Sequence, residues 1–214
     1  MALLSEDDRK YLQGEFGKMN EPVKLILFSK EDDCASCSDT LQLLEETASL
    51  SEKIEVVTHD LTRDSETAAT YNVDRAPTVV IQGNKDIGIR LYGMPSGYEF
   101  STLIEDIIDL GMGTISLSPA TKDALAQLAE PVHIQVFVTP SCPYCPKAVR
   151  MAHMMAMESD RVTADMVMAN EFPQLSNQYN VMAVPKIVIN EDTSFEGAIP
   201  EDDYVSFVTK ATSK

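Results

Sequence analysis

The sequence contains no tryptophan, few basic residues and no cysteine outside two C-x-x-C pairs. It has 34 acidic residues against 17 lysines and arginines, which gives a formal net charge of −17 at pH 7. That charge repels phosphate backbones, so we do not expect a nucleic-acid-binding protein. The opening residues MALLSEDDRK lack the basic and long apolar segments of a secretory signal. No apolar run approaches the roughly 18 residues of a membrane span. We therefore expect no membrane association and a cytoplasmic location.

The cysteines are Cys34 with Cys37 in CASC, and Cys142 with Cys145 in CPYC. In a reducing cytoplasm, C-x-x-C pairs more often bind a metal or exchange disulfides than form permanent cross-links. The chemistry of the two pairs is therefore the central question of the sequence.

Three blocks of sequence occur twice, in the same order. EPVKLILF at 21–28 returns as EPVHIQVF at 130–137, and YNVDRAPTVVI at 71–81 returns as YNVMAVPKIVI at 179–189. The cysteines and the second block shift by the same 108 residues (142 minus 34, and 179 minus 71). The sequence therefore predicts two copies of one unit of about 100 residues, a common domain size. We place the division between residues 117 and 118.

Each copy has the same predicted elements. A helix comes first, capped by Ser5 over 6–16 in one copy and by Ser118 before 120–129 in the other. An apolar strand, the C-x-x-C, a helix, a strand, a short helix, a strand beginning at proline, a further strand and a last helix follow. This order predicts an α/β fold with a mixed sheet flanked by helices, in which the first two strands are parallel. The C-x-x-C then lies at the carboxyl end of the first strand, where α/β sheets tend to place their sites.

That position favours thiol–disulfide exchange. The free N–H groups and the positive dipole end of a helix N-terminus stabilise a thiolate, so the first cysteine of each pair is the expected nucleophile. The second cysteine, one turn further on, is within reach to resolve a mixed disulfide. We expect Pro143 and Pro146 in the first helical turn, where proline loses no hydrogen bond.

A zinc site is the alternative, because two C-x-x-C pairs also describe tetrahedral Cys₄ ligation. The pairs of a zinc ribbon are about 15–20 residues apart, far fewer than here. Each pair also lies between an apolar strand and an amphipathic helix rather than between turns. We expect neither a bound metal nor a cofactor.

Four segments carry a family resemblance: VFVTPSCPYCPKAVRMAH, QYNVMAVPKIVI, DRAP and GYEF. Over essentially the whole chain, the sequence resembles the two-domain protein disulfide oxidoreductases, also called glutaredoxin-like proteins, of archaea and thermophilic bacteria. Each copy resembles a thioredoxin fold, and CPYC is typical of glutaredoxins. The resemblance implies a thioredoxin-like domain over 1–117 and a glutaredoxin-like domain over 118–214.

The same resemblance implies an activity and a substrate surface. The activity is the reduction, formation or isomerisation of disulfides in protein substrates, with Cys142, Cys145, Cys34 and Cys37 as catalytic residues. Pro77 and Pro185 are the implied cis-prolines facing each dithiol, which leaves Ala76 and Val184 to pair with an extended substrate. Tyr144, between the cysteines, either contacts substrate or shields the sulfurs, and we include it among the substrate-binding residues.

The first copy departs from the family pattern. CASC lacks the tyrosine that relatives usually carry as the second intervening residue, and Asp32 and Asp33 directly precede Cys34. Two carboxylates beside a thiol oppose thiolate formation. We therefore expect Cys142 to be the stronger nucleophile and the CPYC pair to carry most of the activity.

Two other functions stay open. The tandem also resembles the N-terminal region of the flavoprotein subunit of alkyl hydroperoxide reductase, which suggests an electron-relay module. In that family the first copy has lost its cysteines, whereas Cys34 and Cys37 are present here. The chain has no flavin or nicotinamide domain, so a thioredoxin-reductase-like flavoprotein would be a separate electron donor. A non-enzymatic metal-binding or scaffold protein is the third possibility.

Overall fold

The computed structural model describes residues 3–212, which contain the predicted elements of both copies. The first copy provides α1 (Glu6–Phe16), β1 (Val23–Ser29), α2 (Cys37–Ala48), β2 (Ile54–Asp60), α3 (Ser65–Thr70), β3 (Thr78–Gln82), β4 (Asp86–Tyr92) and α4 (Glu99–Met112). The second copy provides α5 (Pro119–Ala126), β5 (Val132–Val138), α6 (Cys145–Glu158), β6 (Val162–Met168), α7 (Pro173–Gln178), β7 (Lys186–Ile189), β8 (Thr193–Glu196) and α8 (Glu201–Ala211).

The strands of both copies follow one topology. Their order is β2-β1-β3-β4 in the first copy and β6-β5-β7-β8 in the second. The central strand of each copy runs parallel to the strand after it and antiparallel to the third strand. The mixed α/β sheet with parallel first strands, predicted from the element order, is therefore confirmed.

Serine caps begin the first helix of each copy. The Ser5 hydroxyl accepts the N–H of Asp8 at 3.2 Å, and the Ser118 hydroxyl accepts the N–H of Thr121 at the same distance. Each bond satisfies a backbone donor that the first helical turn leaves without a partner. The predicted end of α5 at residue 129 is wrong, because the helix stops at Ala126. The chain leaves the helix there in a tighter turn, because the N–H groups of Gln127 and Leu128 donate to carbonyls only three residues back, those of Ala124 and Leu125.

The two central strands form the most deeply buried part of each copy. In β1, Leu25, Leu27 and Phe28 are fully buried, as are Val136 and Phe137 in β5. Burial on both faces explains why these strands are continuous apolar runs rather than alternating ones. Each C-x-x-C follows the end of such a strand and is therefore attached to a deeply buried element of its copy.

The described residues form two compact units. The first contains residues up to Asp86, with Leu91–Met94 and Ile104–Thr114. The second contains Ile87–Arg90, Pro95–Leu103 and the residues from Ile115 onward. The division between residues 117 and 118 stays a prediction, and the first two and last two residues of its ranges lie outside the described part. Among the described helices, none combines the length and apolar character needed to cross a membrane.

An ion pair joins the two parallel strands of the second copy. His133 Nε2 lies 2.6 Å from Asp165 Oδ2, and Asp165 is buried. Desolvation alone lowers the pKa of His133, but the hydrogen bond and charge of Asp165, with the charge of Glu191, outweigh it and raise the pKa above its ordinary value of 6.5. The folded protein therefore holds the His133 proton more tightly than the unfolded chain does.

Replacing His133 with glutamine should remove a pH-dependent part of the stability. Because the folded-state pKa is raised, the contribution is complete below about pH 6.5 and is lost as the pH rises through the folded-state value. We expect less than about 1 kcal/mol, since the imidazole is 44% exposed to solvent. Urea unfolding at a series of pH values measures the difference between wild type and His133→Gln. A difference that is constant from pH 5 to about 8.5 would contradict this linkage.

Candidate active site

The loop between β5 and α6 holds the second pair of cysteines. Cys142 and Cys145 form a disulfide, with their Cα atoms 5.5 Å apart. Cys142 is 8% exposed and Cys145 fully buried, so the outer face of the disulfide is the Cys142 sulfur. The N–H of Cys142 donates to the Thr139 carbonyl at 3.2 Å, which ties the loop back to the end of β5. An incoming group can therefore reach Cys142 more readily than Cys145.

The first cysteine of each pair lies just outside the helix that follows it. In both copies the helix starts at the second cysteine, Cys37 or Cys145, and the first cysteine lies in the turn before it. Pro146 is in the first turn of α6 as predicted, whereas Pro143 precedes the helix, so its predicted position is wrong. The positive end of the helix still faces the pair, because the unpaired N–H groups belong to the residues that directly follow Cys142.

Strand register brings the proline segment to the same sheet edge. Phe137, near the end of β5, pairs with Lys186 at the start of β7. The residues just before β7, Val184 and Pro185, therefore lie beside the loop that carries Cys142. Cys142 Sγ is 3.8 Å from the Val184 carbonyl oxygen, and the Val184–Pro185 peptide bond is cis, as the resemblance implied. Tyr144 lies between the cysteines with 70% of its surface exposed.

The first copy repeats this arrangement with a different loop. Cys34 and Cys37 form a disulfide with the same Cα separation of 5.5 Å. Phe28 of β1 pairs with Thr78 of β3, so the cis Ala76–Pro77 bond leads into the strand beside the CASC loop. Asp33, directly before Cys34, has a φ of 60°, a left-handed backbone that aspartate tolerates better than most residues.

The loop that leads to the first pair borders a pocket lined mainly by charged residues. A pocket of about 340 Å³ adjoins the CASC loop and is lined by Lys30, Glu31, Asp32, Asp60, Thr62 and Arg63. Arg63 forms an ion pair with Glu31. The N–H of Arg63 donates to Asp60, and this bond holds the pKa of that carboxyl below its ordinary range. Three carboxylates against two cations leave the lining with a formal charge of −1. No sequence pattern predicted the contribution of Arg63, which lies 29 residues after Cys34.

The structure adds one further segment to the second pair. The N–H of Tyr98 donates to the Pro140 carbonyl at 3.0 Å. Gly97 has a φ of +61°, and a Cβ built on it would lie 2.2 Å from the same carbonyl oxygen. The backbone of residues 97 and 98 therefore rests directly on the loop that carries Cys142. The sequence does not reveal this contact, because a backbone hydrogen bond between residues 42 positions apart (140 minus 98) leaves no pattern in the side chains.

The second copy matches the thioredoxin domain family over residues 132–209. Thioredoxin from Methanocaldococcus jannaschii is 40% identical over 80 residues, which cover 37% of this chain and 94% of that protein. A solved protein disulfide oxidoreductase from Aeropyrum pernix has a TM-score of 0.92 and 34% identity, covering 98% of this chain and 94% of that one.

Other relatives match most of the chain, across both copies. A protein named NADH dehydrogenase from Bacillus subtilis is 24% identical over 190 residues, which cover 89% of this chain and 35% of that protein. The chain thus spans about a third of the length of this relative. A domain of alkylhydroperoxide reductase AhpF from Enterococcus faecalis superimposes with a TM-score of 0.89 and 26% identity, over 96% of this chain and 99% of that one.

Substituting alanine for Gly97 should disturb the loop of the second pair. The new Cβ must push the Pro140 carbonyl away, which displaces Cys142 from the start of α6 and lowers its thiolate fraction. We expect iodoacetamide to alkylate Cys142 at least about threefold more slowly in the reduced protein, since an ångström of misplacement has large effects on reactivity. Cys34→Ser/Cys37→Ser serves as the common background.

Gly113→Ala is the matched control. Gly113 also has a positive φ, of +66°, but nothing lies within 4 Å of a Cβ built there. Both variants should lose roughly 1–2 kcal/mol of unfolding free energy from the left-handed backbone. An equal alkylation rate in the two variants would show that the Gly97 contact does not position Cys142.

Proposed function

Since the chain belongs to the family of thioredoxin-fold protein disulfide oxidoreductases, we propose that it reduces, forms or isomerises disulfides in protein substrates, chiefly through the glutaredoxin-like CPYC pair. The proposal rests on one observation: the Cys142 sulfur lies 3.8 Å from the Val184 carbonyl oxygen, at the edge of the sheet where β5 ends. A reactive sulfur thus lies beside backbone that an extended substrate can use for hydrogen bonds. The placing of every cysteine in a C-x-x-C pair supports a cytoplasmic location.

In reduction, the Cys142 thiolate attacks one sulfur of the substrate disulfide. A Cys142–substrate bond forms, the substrate S–S bond breaks, and the released sulfur takes up a proton. The Cys145 thiolate then attacks the Cys142 sulfur, which closes the Cys142–Cys145 disulfide and releases the second substrate thiolate. That thiolate also takes up a proton, so the substrate gains two electrons from the dithiol and two protons from solvent, which balance the two protons that Cys142 and Cys145 lose on forming their thiolates. The reverse sequence introduces a disulfide.

Burial separates the roles of the two cysteines. Cys145 is fully buried, whereas Cys142 keeps 8% of its surface exposed, so Cys142 is the more accessible of the two to a protein substrate. A Cα separation of 5.5 Å is within the range that a disulfide spans, so Cys145 can reach the mixed disulfide without backbone movement. Val184 would align the substrate backbone during both steps, and Tyr144 would contact its side chains.

The environments of the two pairs support unequal activity. Asp32 and Asp33 precede Cys34, and the pocket beside them keeps a net negative charge even with Lys30 and Arg63 included. Negative charge disfavours the thiolate and therefore the attacking species at neutral pH. Around Cys142 the preceding residues Pro140 and Ser141 are uncharged.

An electron-relay function is the second candidate, favoured by the likeness to the alkylhydroperoxide reductase domain. In this function a separate flavoprotein would reduce one pair, and the chain would pass the electrons to a single partner. A relay should be reduced rapidly by that flavoprotein and should reduce varied protein disulfides slowly. A general oxidoreductase should show the opposite preference, so the substrate range distinguishes the two functions.

Replacing Cys145 with serine should trap the reaction at its first step. Without a resolving thiol, the mixed disulfide between Cys142 and substrate persists, because the second displacement cannot occur. Non-reducing electrophoresis with mass spectrometry of the linked peptides identifies the bond. Cys142→Ser is the control and should trap at least about tenfold less at this site. A bond that runs mainly through Cys34 would contradict the assignment.

Removing each pair in turn should reveal the unequal sites. We expect Cys142→Ser/Cys145→Ser to lose most of the reduction of a disulfide-bonded protein such as insulin, and Cys34→Ser/Cys37→Ser to keep most of it. In the first of these variants, Asp32→Asn/Asp33→Asn should speed alkylation of Cys34 several-fold, since a charge at about 6 Å costs a thiolate on the order of 1–3 kcal/mol. Unchanged alkylation after that charge removal would remove the proposed cause of the inequality.

A further inference from the structure

Few large apolar side chains are exposed in the described part of the chain, and most of those few lie near the second pair of cysteines. Five such residues are found within residues 3–212: Leu3, Tyr11, Tyr98, Tyr144 and Met182. The first two belong to the start of the chain and to α1. The other three, with exposures of 53%, 70% and 90%, each flank a residue at the second pair.

Three separate links place these side chains near the Cys142 sulfur. Tyr144 follows Cys142 by two residues, and Met182 precedes by two residues the Val184 carbonyl that lies 3.8 Å from the sulfur. Tyr98 donates its N–H to Pro140, two residues before Cys142, at 3.0 Å. Consecutive Cα atoms are about 3.8 Å apart, so two residues span at most about 7.6 Å. All three links lie within the second compact unit.

The same segments carry no charge. Residues 94–98, 139–144 and 179–185 contain no Asp, Glu, Lys or Arg, although the chain as a whole has a net charge of −17. Exposed apolar side chains grouped without charges are characteristic of a binding surface rather than of ordinary solvent-facing surface. At the first pair the corresponding loop, 30–36, contains four charged residues: Lys30, Glu31, Asp32 and Asp33.

We propose that Tyr98, Tyr144 and Met182 form one surface, the apolar rim, which binds bulky apolar side chains flanking the target cysteine of an extended protein segment. The rim rests on the proposed function, because it supplies the substrate preference of the CPYC pair. Tyr98 is its specificity-determining residue. Gly97 fixes the backbone at Tyr98 against Pro140, so the tyrosine ring is presented at a constant place. Tyrosine provides a rigid apolar face, and methionine adapts to side chains of different shape.

The size of the rim favours a transient polypeptide partner over a second copy of the chain. Two tyrosines and one methionine, partly exposed, offer on the order of a few hundred Å². A stable dimer needs about 800 Å² from each partner. A small apolar contact is sufficient for a substrate segment, because the mixed disulfide holds that segment covalently during the reaction.

Two peptides of equal length test the rim. Each carries one cysteine in a mixed disulfide with free cysteine, flanked in one peptide by Phe and Leu and in the other by Ser and Asn. The reduced Cys34→Ser/Cys37→Ser protein, in which only the second pair reacts, should reduce the apolar peptide about tenfold faster, which corresponds to about 1.4 kcal/mol. The peptides are uncharged at these positions, so raising the salt concentration should leave the ratio unchanged.

Substitutions assign the preference to Tyr98. Tyr98→Ser should lower the rate on the apolar peptide at least about threefold more than the rate on the polar peptide, which corresponds to roughly half of the tenfold preference on a logarithmic scale. Tyr98→Phe should restore the ratio, since the ring rather than the hydroxyl makes the contact. Tyr11→Ser, which removes a still more exposed tyrosine from α1, should change neither rate.

The possible results distinguish failure of the apolar rim from failure of the proposed function. Equal rates on both peptides in the parent protein, or an equal fall in both rates in Tyr98→Ser, would overturn the apolar rim while leaving the proposed function intact. Reduction of neither peptide, nor of a small disulfide, would overturn the proposed function and the rim with it. Sedimentation of the reduced protein at several concentrations completes the test. Self-association that is lost in Tyr98→Ser would assign the surface to a second copy and overturn the substrate role.

Discussion

Antiparallel pairing beside a buried central strand is the constraint on which each site depends. β5 is buried on both faces, and its pairing with β7 fixes which residues stand opposite the loop that follows it. A slip of one residue would send the buried side chains of β7 to the other face of the sheet, at a large cost in apolar burial. The register that protects the core therefore also holds the Val184 carbonyl against the Cys142 sulfur. A change in the β5–β7 register would therefore alter both the stability of the fold and the geometry of the site.

The two copies show how much chemistry can change on a constant backbone. Both disulfides span the same 5.5 Å between Cα atoms, both follow a buried strand, and in both copies a cis proline leads into the antiparallel strand that pairs with it. Their surroundings differ in charge: a mixed but net negative pocket at the first pair, and uncharged loops at the second. Long-range electrostatics can therefore act on partners of the first pair, whereas contacts at the second pair depend on shape and apolar area.

Much of the fold was predictable because its signals are local. The cap and limits of α1 agree with the prediction to the residue, since a serine cap acts on its immediate neighbours. The order of the elements implied the parallel first strands, and the repeat fixed the correspondence between the copies. Of the two prolines predicted in the first turn of α6, Pro143 was misplaced, because the helix begins after it at Cys145. The turn before α6 can be closed with Cys142 outside the helix, and proline is compatible with either position.

The rest depended on contacts between distant residues. The position of Arg63 in the pocket beside the CASC loop follows from the parallel pairing of β1 and β2, and the His133–Asp165 pair from that of β5 and β6. Neither contact joins residues at a sequence spacing that helical or strand periodicity would predict. The contact of Tyr98 with Pro140 is still harder to predict, because it runs through backbone atoms and requires only that residue 97 lack a side chain. The sequence shows a glycine there, but not the carbonyl that excludes anything larger.

This backbone contact has a consequence for the history of the duplicated chain. A duplication begins with two interchangeable halves, each able in principle to stand alone or to be swapped. Once Gly97 and Tyr98 of the first half came to rest on Pro140 of the second, the later half acquired a support encoded about forty residues upstream. The two halves can then no longer be separated or exchanged without losing this contact. Selection on the CPYC loop extends into the earlier half, so positions 97, 98 and 140 should vary together among descendants of the same duplication.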